Sequence, residues 1–296
     1  MIAVECVDVT KRLIGRKALN KLNLTIEKDK LVGLIGRNGA GKTTLMKMIA
    51  GFWRETSGRV EVFSKRAFNN LFISANVMYI DDTMTFSQTL SLGDILKEAE
   101  RAYINWDTVL AGRLFDYFGF HPKAKHHTLS KGKKSTFNMI IGLASRCSLT
   151  LFDEPTTGMD ASVRKDFYRA LLKDYLAHPR TIIVSSHHLE EIEDLLEEVV
   201  LIDEGRVFLH ESMDDLKEYA LGINGRTEIL LPLLTEEEVI HKSQVGDYMT
   251  YAVVRSDSNI LDKAKHYGME IEPVSPNDLC IYLTTKTKGG IDDVFK

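Results

Sequence analysis

The chain is poor in cysteine, with three residues at Cys6, Cys147 and Cys280 and no CxxC pair among 296 positions. An odd, scattered set builds neither a disulfide framework nor a zinc site, so all three are expected as small packed hydrophobes. Long apolar runs are missing as well. No uninterrupted stretch approaches the roughly 18 to 20 residues that a membrane-spanning helix needs. The opening MIAVECVDVTKRLIG sets acidic residues inside its only apolar stretch, without the basic start, apolar middle and cleavage site of a signal peptide. Nor is there a surplus of one charge. The 38 Lys and Arg against 42 Asp and Glu leave a net charge of −4, which excludes a strongly basic nucleic-acid coat and an acidic disordered tail. A cytosolic protein is expected, with any membrane connection coming through a partner.

What remains is an ordinary globular composition, 44% hydrophobic and 27% charged. The length suits one large core, or a core plus a small second domain. Over the first 205 residues, apolar runs of strand length alternate with helical stretches. The runs are Leu31 to Ile35, Leu149 to Phe152, Thr181 to Ser185 and Val199 to Ile202. Helical segments are expected at 42–50, 161–176 and 189–196. That alternation predicts a largely parallel sheet covered on both faces. Residues 2–10 and 22–26 read as a half-buried antiparallel flank. A helical insert is expected over about 85–146, with Ser91 as a cap and Asp94 in the first turn. Asp203-Glu204-Gly205-Arg206 reads as a turn between strands. Residues 222–296 read as a small α+β appendix, with strands at 228–231 and 251–254 and a helix at 261–267. Its boundary is set at the two glycines of Gly222-Ile223-Asn224-Gly225.

The strand LVGLI runs into Gly36-Arg37-Asn38-Gly39-Ala40-Gly41-Lys42-Thr43-Thr44, which fits G-x-x-x-x-G-K-[ST] ahead of a helix. The glycines let the backbone wrap around phosphates with its amides turned inward. A helix N-terminus adds its dipole. Lys42 is placed to reach the terminal phosphates, and the Thr43 hydroxyl to ligate magnesium. A second strand, Ser148 to Phe152, ends in Asp153-Glu154-Pro155. Such a pair suits one carboxylate for the magnesium shell, Asp153, and one to activate water, Glu154. Alone, two acids after a strand are a cap or a solvated turn; next to the glycine loop they become a site. His187 follows the strand Thr181 to Ser185, at the edge where open α/β sheets bind ligands. Chemistry alone does not separate it from His188.

In this order the motifs resemble the ATP-binding subunits of ABC transporters, over about residues 1–215. Between the loop and the acids lies Leu129-Ser130-Lys131-Gly132-Lys133, which resembles the LSGGQ signature. The Ser-Lys-Gly variant and the C-terminal extension around Val274 to Leu279 are similar to the bacterial ABC-2-like exporter group. The resemblance implies a P-loop NTPase core of ABC type with a helical subdomain, an antiparallel β flank and a small C-terminal α+β appendix. It implies ATP and Mg2+ as cofactors, and nucleotide sandwiched between one subunit's phosphate loop and the other's signature, here Ser130 and Gly132. It selects His187 over His188 as the γ-phosphate switch and places Asp160 in the loop that speaks across the dimer. Asp82 stands where the family keeps its magnesium-sensing glutamine, and Leu13 where it keeps an aromatic ring against adenine.

The expected protein is therefore an ATP-hydrolysing motor subunit, with the ATPase domain over 1–221 and the small domain over 222–296. It would drive a separate membrane permease, as an exporter, through ATP-dependent pairing with an identical or sister ATPase. Its expected location is the inner face of the cell membrane, held there by the permease. Two other readings share the motifs. One is a soluble ABC-type ATPase acting on nucleic acid or ribosomes, which the net charge does not favour. The other is a regulatory subunit paired with a more active ATPase, which the departures at Asp82 and Lys131 suggest and the intact Glu154 and His187 oppose.

Overall fold

A computed structural model describes residues 1–187, 189–235 and 238–285. The chain opens with two long strands, β1 (Ile2–Leu13) and β2 (Arg16–Glu27), followed by β3 (Leu31–Ile35) and helix α1 (Lys42–Ile49). Next come β4 (Ser57–Val62), β5 (Lys65–Arg66), α2 (Leu71–Asn76) and β6 (Val77–Ile80). Three helices then form the expected insert: α3 (Leu92–Ala102), α4 (Thr108–Tyr117) and α5 (Lys131–Ser145). The chain returns through β7 (Leu149–Asp153), α6 (Ala161–Ala177), β8 (Thr181–Ser186), β9 (Glu198–Asp203) and β10 (Arg206–Ser212).

Six of these strands make one sheet in the order β10-β9-β3-β8-β7-β6. The β9-β3, β3-β8, β8-β7 and β7-β6 pairs are parallel. All five residues of β3 and of β7 are buried, as a parallel strand covered on both faces requires. β1, β2, β4 and β5 make the antiparallel flank, in the order β2-β1-β4-β5. One apolar cluster joins flank, sheet and α1 through Val4, Leu22, Ile26, Leu45, Ile49, Leu151 and Val200.

The helices of the insert show why they form. α3 opens on a complete capping box, Ser91 with Asp94, and buries Leu92, Ile95 and Ala99 on one face. α5 is buried at every position from Ser135 to Ser145. It is the apolar centre of the insert, in contact with α3, α4 and β7. The expected helix over 189–196 is instead two 3-10 turns, Leu189–Glu191 and Glu193–Leu195. His188 lies outside the described residues.

The chain divides into two compact units. One contains residues 1–187 and 194–210, and the other contains 189–193, 211–235 and 238–285. The second unit begins with α7 (Met213–Lys217), β11 (Ala220–Arg226) and α8 (Thr227–Leu230). It continues through β12 (Val239–Val245), β13 (Met249–Arg255), α9 (Ile260–His266), β14 (Glu270–Pro273) and α10 (Pro276–Thr284). The sheet order β12-β13-β11-β14 and the run β11-α8-β12-β13-α9-β14 form a β-α-β-β-α-β unit. Its core is Ile223, Leu230, Ala252, Val254, Ile260, Leu261 and Ala264. Gly222 to Gly225, read as a boundary, lies within β11, and the expected strand at 228–231 is helical. Residues 286–296 lie outside the described residues. Among those described, no helix is long and apolar enough to cross a membrane.

Candidate functional site

Four parallel strands deliver the predicted side chains at their carboxyl ends, the edge where open α/β sheets hold ligands. β3 delivers the glycine loop, β7 delivers Asp153 and Glu154, β8 delivers His187, and β6 delivers Asp81 and Asp82. The loop passes straight into α1, whose N-cap is Gly41 at φ 117° with no side-chain cap. A side chain there would be strained, and its Cβ would stand 2.7 Å from the Ala18 carbonyl oxygen. Gly41, Lys42, Thr43 and Thr44 line a cavity of about 190 Å³ with Arg37, Asn38, Gly39 and Glu154. Gly36 and Ala40 are buried beneath it. Arg16 and Ala18 complete the lining. Leu13, the residue aligned with the adenine-stacking ring, is not brought to this cavity. It ends β1 opposite Arg16, so the flank offers a guanidinium there, which sequence reasoning missed.

Lys42 is 6% exposed, and its Nζ donates to the Gly36 carbonyl at 2.6 Å. The same Nζ stands 3.4 Å from Glu154 Oε1. On the other side, His187 Nδ1 is 2.8 Å from Glu154 Oε2. The predicted base is thus held between the loop lysine and the switch histidine. Its backbone is held too: Glu154 sits at φ 48°, its N–H donates to Ser185 Oγ, and its carbonyl accepts from Thr157. A non-glycine residue at that φ costs of order 1–3 kcal/mol and persists only where its surroundings over-determine it.

Asp153 is 4% exposed. Ser185 Oγ donates to its Oδ1 at 2.7 Å, and the Tyr79 hydroxyl lies 2.9 Å from its Oδ2. The Tyr79 hydroxyl also lies 3.2 Å from Asp81 Oδ2. Burial, with the charges of Asp153 and then Asp81, pushes the Tyr79 phenol far upward, so it stays protonated and can donate. Asp82 is not brought to this cluster. It pairs instead with Lys131 at 3.0 Å, so the two residues that depart from the family pattern meet each other. Asp81, its neighbour, accepts from Thr83 N–H and Oγ1 and faces Lys47 Nζ at 3.6 Å.

The signature turn belongs to α5. Ser130 caps that helix by accepting from Lys133 N–H at 3.4 Å. Gly132 packs so closely on the loop after Glu154 that a Cβ would stand 2.2 Å from the Gly158 carbonyl oxygen. Ser135 donates to the Thr157 carbonyl across the same contact. Asp160 caps α6 by accepting from Ser162 and Val163 N–H. Those hydrogen bonds, Val163's first, hold its carboxyl below the usual carboxylate range.

The oxygen donors here, the Thr43 hydroxyl and the Asp153 carboxylate, suit a hard cation. Among the described residues no three His, Cys, Asp or Glu side chains converge to hold a metal by themselves. That set fits magnesium, which binds through one or two protein oxygens plus the phosphates it accompanies.

The ABC transporter family profile matches residues 19–157. The ATP-binding protein NatA of Bacillus subtilis is 30% identical over 68% of this chain and 85% of its own length. The chain belongs to the ABC transporter ATP-binding proteins. The ATP-binding protein YtrB of B. subtilis is 26% identical over 95% of both chains. The bacitracin transport ATP-binding protein BcrA of Bacillus licheniformis is 29% identical over 99% of this chain and 95% of its own. Among solved structures, an ATP-binding subunit of an ABC transporter superposes with a TM-score of 0.65 at 24% identity, over 73% of this chain and 92% of that one. An ATP-binding cassette solved as a dimer with ADP and Pi gives 0.62 at 19%, over 71% and 98%. The fold is the P-loop ABC ATPase fold, and the family is ATP-binding and ATP-hydrolysing.

Proposed function

We propose that the chain is the motor subunit of an ABC exporter, closing on ATP against a second ATPase subunit and passing that movement to a separate membrane permease. The observation that carries the reading is Glu154, held by Lys42 on one oxygen and His187 on the other, at the mouth of the phosphate loop. The relatives that span nearly the whole chain, one of them named for bacitracin transport, support the transport role. The unit of residues 1–187 and 194–210 is assigned as the motor, and the unit that holds α7 to α10 as an accessory domain.

The roles follow from placement. Gly36 to Thr44 wrap the β- and γ-phosphates with amides, and Lys42 leaves Gly36 and Glu154 to meet their charge. Thr43 and Asp153 are the residues that would hold magnesium; bound there, the ion neutralises charge on the phosphates. Freed from Lys42, Glu154 accepts a proton from water as the water oxygen bonds to the γ-phosphorus and the bond to the β-phosphate oxygen breaks. His187 keeps the Glu154 carboxylate turned toward that water. Ser130 and Gly132, at the start of α5, and Asp160, at the start of α6, face the nucleotide of the second subunit. Asp82, through Lys131, steadies that signature turn. A cavity of about 500 Å³, lined by Lys47, Phe52, Tyr79, Asp81, Met84 and Tyr103, adjoins the Asp153 cluster and suits a permease contact. With that contact the subunit lies at the inner face of the membrane.

Glu154→Gln tests the reading. ATP binding should persist while turnover falls at least 100-fold, because an amide cannot take the proton. Steady-state hydrolysis near the unaltered rate would remove Glu154 from the base role.

A further inference from the structure

The two oxygens of Asp153 are served differently. Oδ1 accepts from Ser185, a hydroxyl with no exposure at all, whereas Oδ2 depends on Tyr79. Tyr79 stands at the middle of β6, paired with β7 at Leu151, and its ring packs edge-on against Phe52 with centroids 5.5 Å apart. A phenol has one proton. Its oxygen lies within hydrogen-bond distance of two carboxylates, at 2.9 Å from Asp153 and 3.2 Å from Asp81. It can donate to only one of them at a time.

The surroundings say which one. Asp81 already accepts from the Thr83 N–H and hydroxyl and faces Lys47. Its charge is answered without the phenol. Among the described residues Oδ2 of Asp153 has no such alternative, and its contact is the shorter. We infer that Tyr79 is a positioning residue for Asp153, which fixes this carboxylate's rotation and so sets how well it meets the magnesium–nucleotide complex. The inference rests on the assignment of Asp153 to the metal side of the site.

Tyr79, Asp81 and Lys47 all line the 500 Å³ cavity, and Lys47 is on α1, the helix that begins with Lys42 and Thr43.

The test compares the full chain with its Tyr79→Phe, Asp81→Asn and double variants, all checked by circular dichroism. Phenylalanine keeps the ring and its contact with Phe52 and removes only the oxygen. Manganese stands in for magnesium, and its affinity is read by electron paramagnetic resonance in the ADP complex. Affinity for ADP alone is read by fluorescence displacement without metal. Tyr79→Phe should weaken manganese about ten- to a hundredfold, the worth of one hydrogen bond to a charged group, and leave metal-free ADP affinity unchanged. Asp81→Asn should leave manganese as tight or tighter in the presence of Tyr79 and have no effect on it in the Tyr79→Phe background. Equal loss of metal-free and metal-bound affinity in Tyr79→Phe would make the residue merely structural and overturn the inference. So would unchanged manganese affinity. Asp153→Asn, run beside them, separates the premise: intact manganese affinity there would overturn the Asp153 assignment itself.

Discussion

Two helix starts in the ATPase unit, those of α1 and α3, satisfy their free amides in opposite ways. α3 closes its own end: Ser91 accepts from Asp94 N–H, and Asp94 accepts from Ser91 in return. α1 has a glycine cap, no side-chain cap and no acid in its first turn, and its first residue is a lysine. A lysine opposes the dipole at that position, so the arrangement gains nothing for the isolated helix. It makes sense only if an anion arrives from outside. α5 stands between the two. Ser130 caps it, yet its first turn carries Lys131, Lys133 and Lys134 and no acid. α1 and α5 supply the two motifs assigned to nucleotide, and α3 is assigned none. The missing carboxylates set α1 and α5 apart from α3, although α2 and α4 also lack an acid in the first turn and are assigned no motif.

The comparison breaks most forcefully at α1. Lys42→Ala removes the buried cation at the open end and leaves the fold's cap untouched. ATP affinity should fall at least 100-fold, about 3 kcal/mol or more, in keeping with hydrogen bonds to charged groups lost together. Isothermal calorimetry on the folded variant reads it. Affinity within threefold of the unaltered chain would mean that the loop's amides alone hold the phosphates.

At α5 the same logic predicts opposite signs for stability and activity. Lys133→Glu places an acid three residues after Ser130 and completes a capping box like that of α3. Tm should rise by a degree or two, since a cap and the dipole both gain. Hydrolysis should fall about tenfold, because in the proposed pairing the new charge would face the phosphates of the second subunit. A gain in both would show that this helix start meets no anion.

How much of this was legible depended on whether chemistry dictates residue type. The glycine loop, Asp153-Glu154 and the strands bearing them could be read because phosphates and a hard cation demand those groups at that spacing. Tyr79 and Ser185 could not, because each serves another side chain and only the β6-β7-β8 register brings them to Asp153. Asp81 and Asp82 show the limit at one-residue resolution. Neighbours leaving a strand diverge, and the structure sends Asp81 to Tyr79 and Asp82 to Lys131. In the second unit, Glu228-Ile229-Leu230-Leu231 read as strand and folds as helix, since a short apolar run does not separate the two periods. The stretch 189–196 reads as one helix after a strand, but hydrogen bonding there closes in two 3-10 turns.

The smallest expected effect sharpens the comparison at α3, the end that serves only itself. Ser91→Ala deletes the hydroxyl that accepts from Asp94 N–H and donates to the Asp94 carboxylate. Losing an N-cap of this kind should lower Tm by about 2–4 °C for a unit of this size. ATP affinity and hydrolysis, measured well below the transition, should not change. The loss should also depend on pH. The Ser91 hydroxyl, and after it the Ser91 N–H, hold the Asp94 carboxyl below its ordinary value. A carboxyl depressed on folding contributes stability that is present above its unfolded pKa, near 3.9, and is lost as pH falls through the lower folded value. The gap in Tm between Ser91→Ala and the unaltered chain should therefore be constant from pH 7 down to about pH 5 and narrow below about pH 4. A gap that narrows between pH 7 and pH 5 would place the effect on some other group, and a loss of ATP affinity would deny that α3's closed end is separate from the open end of α1.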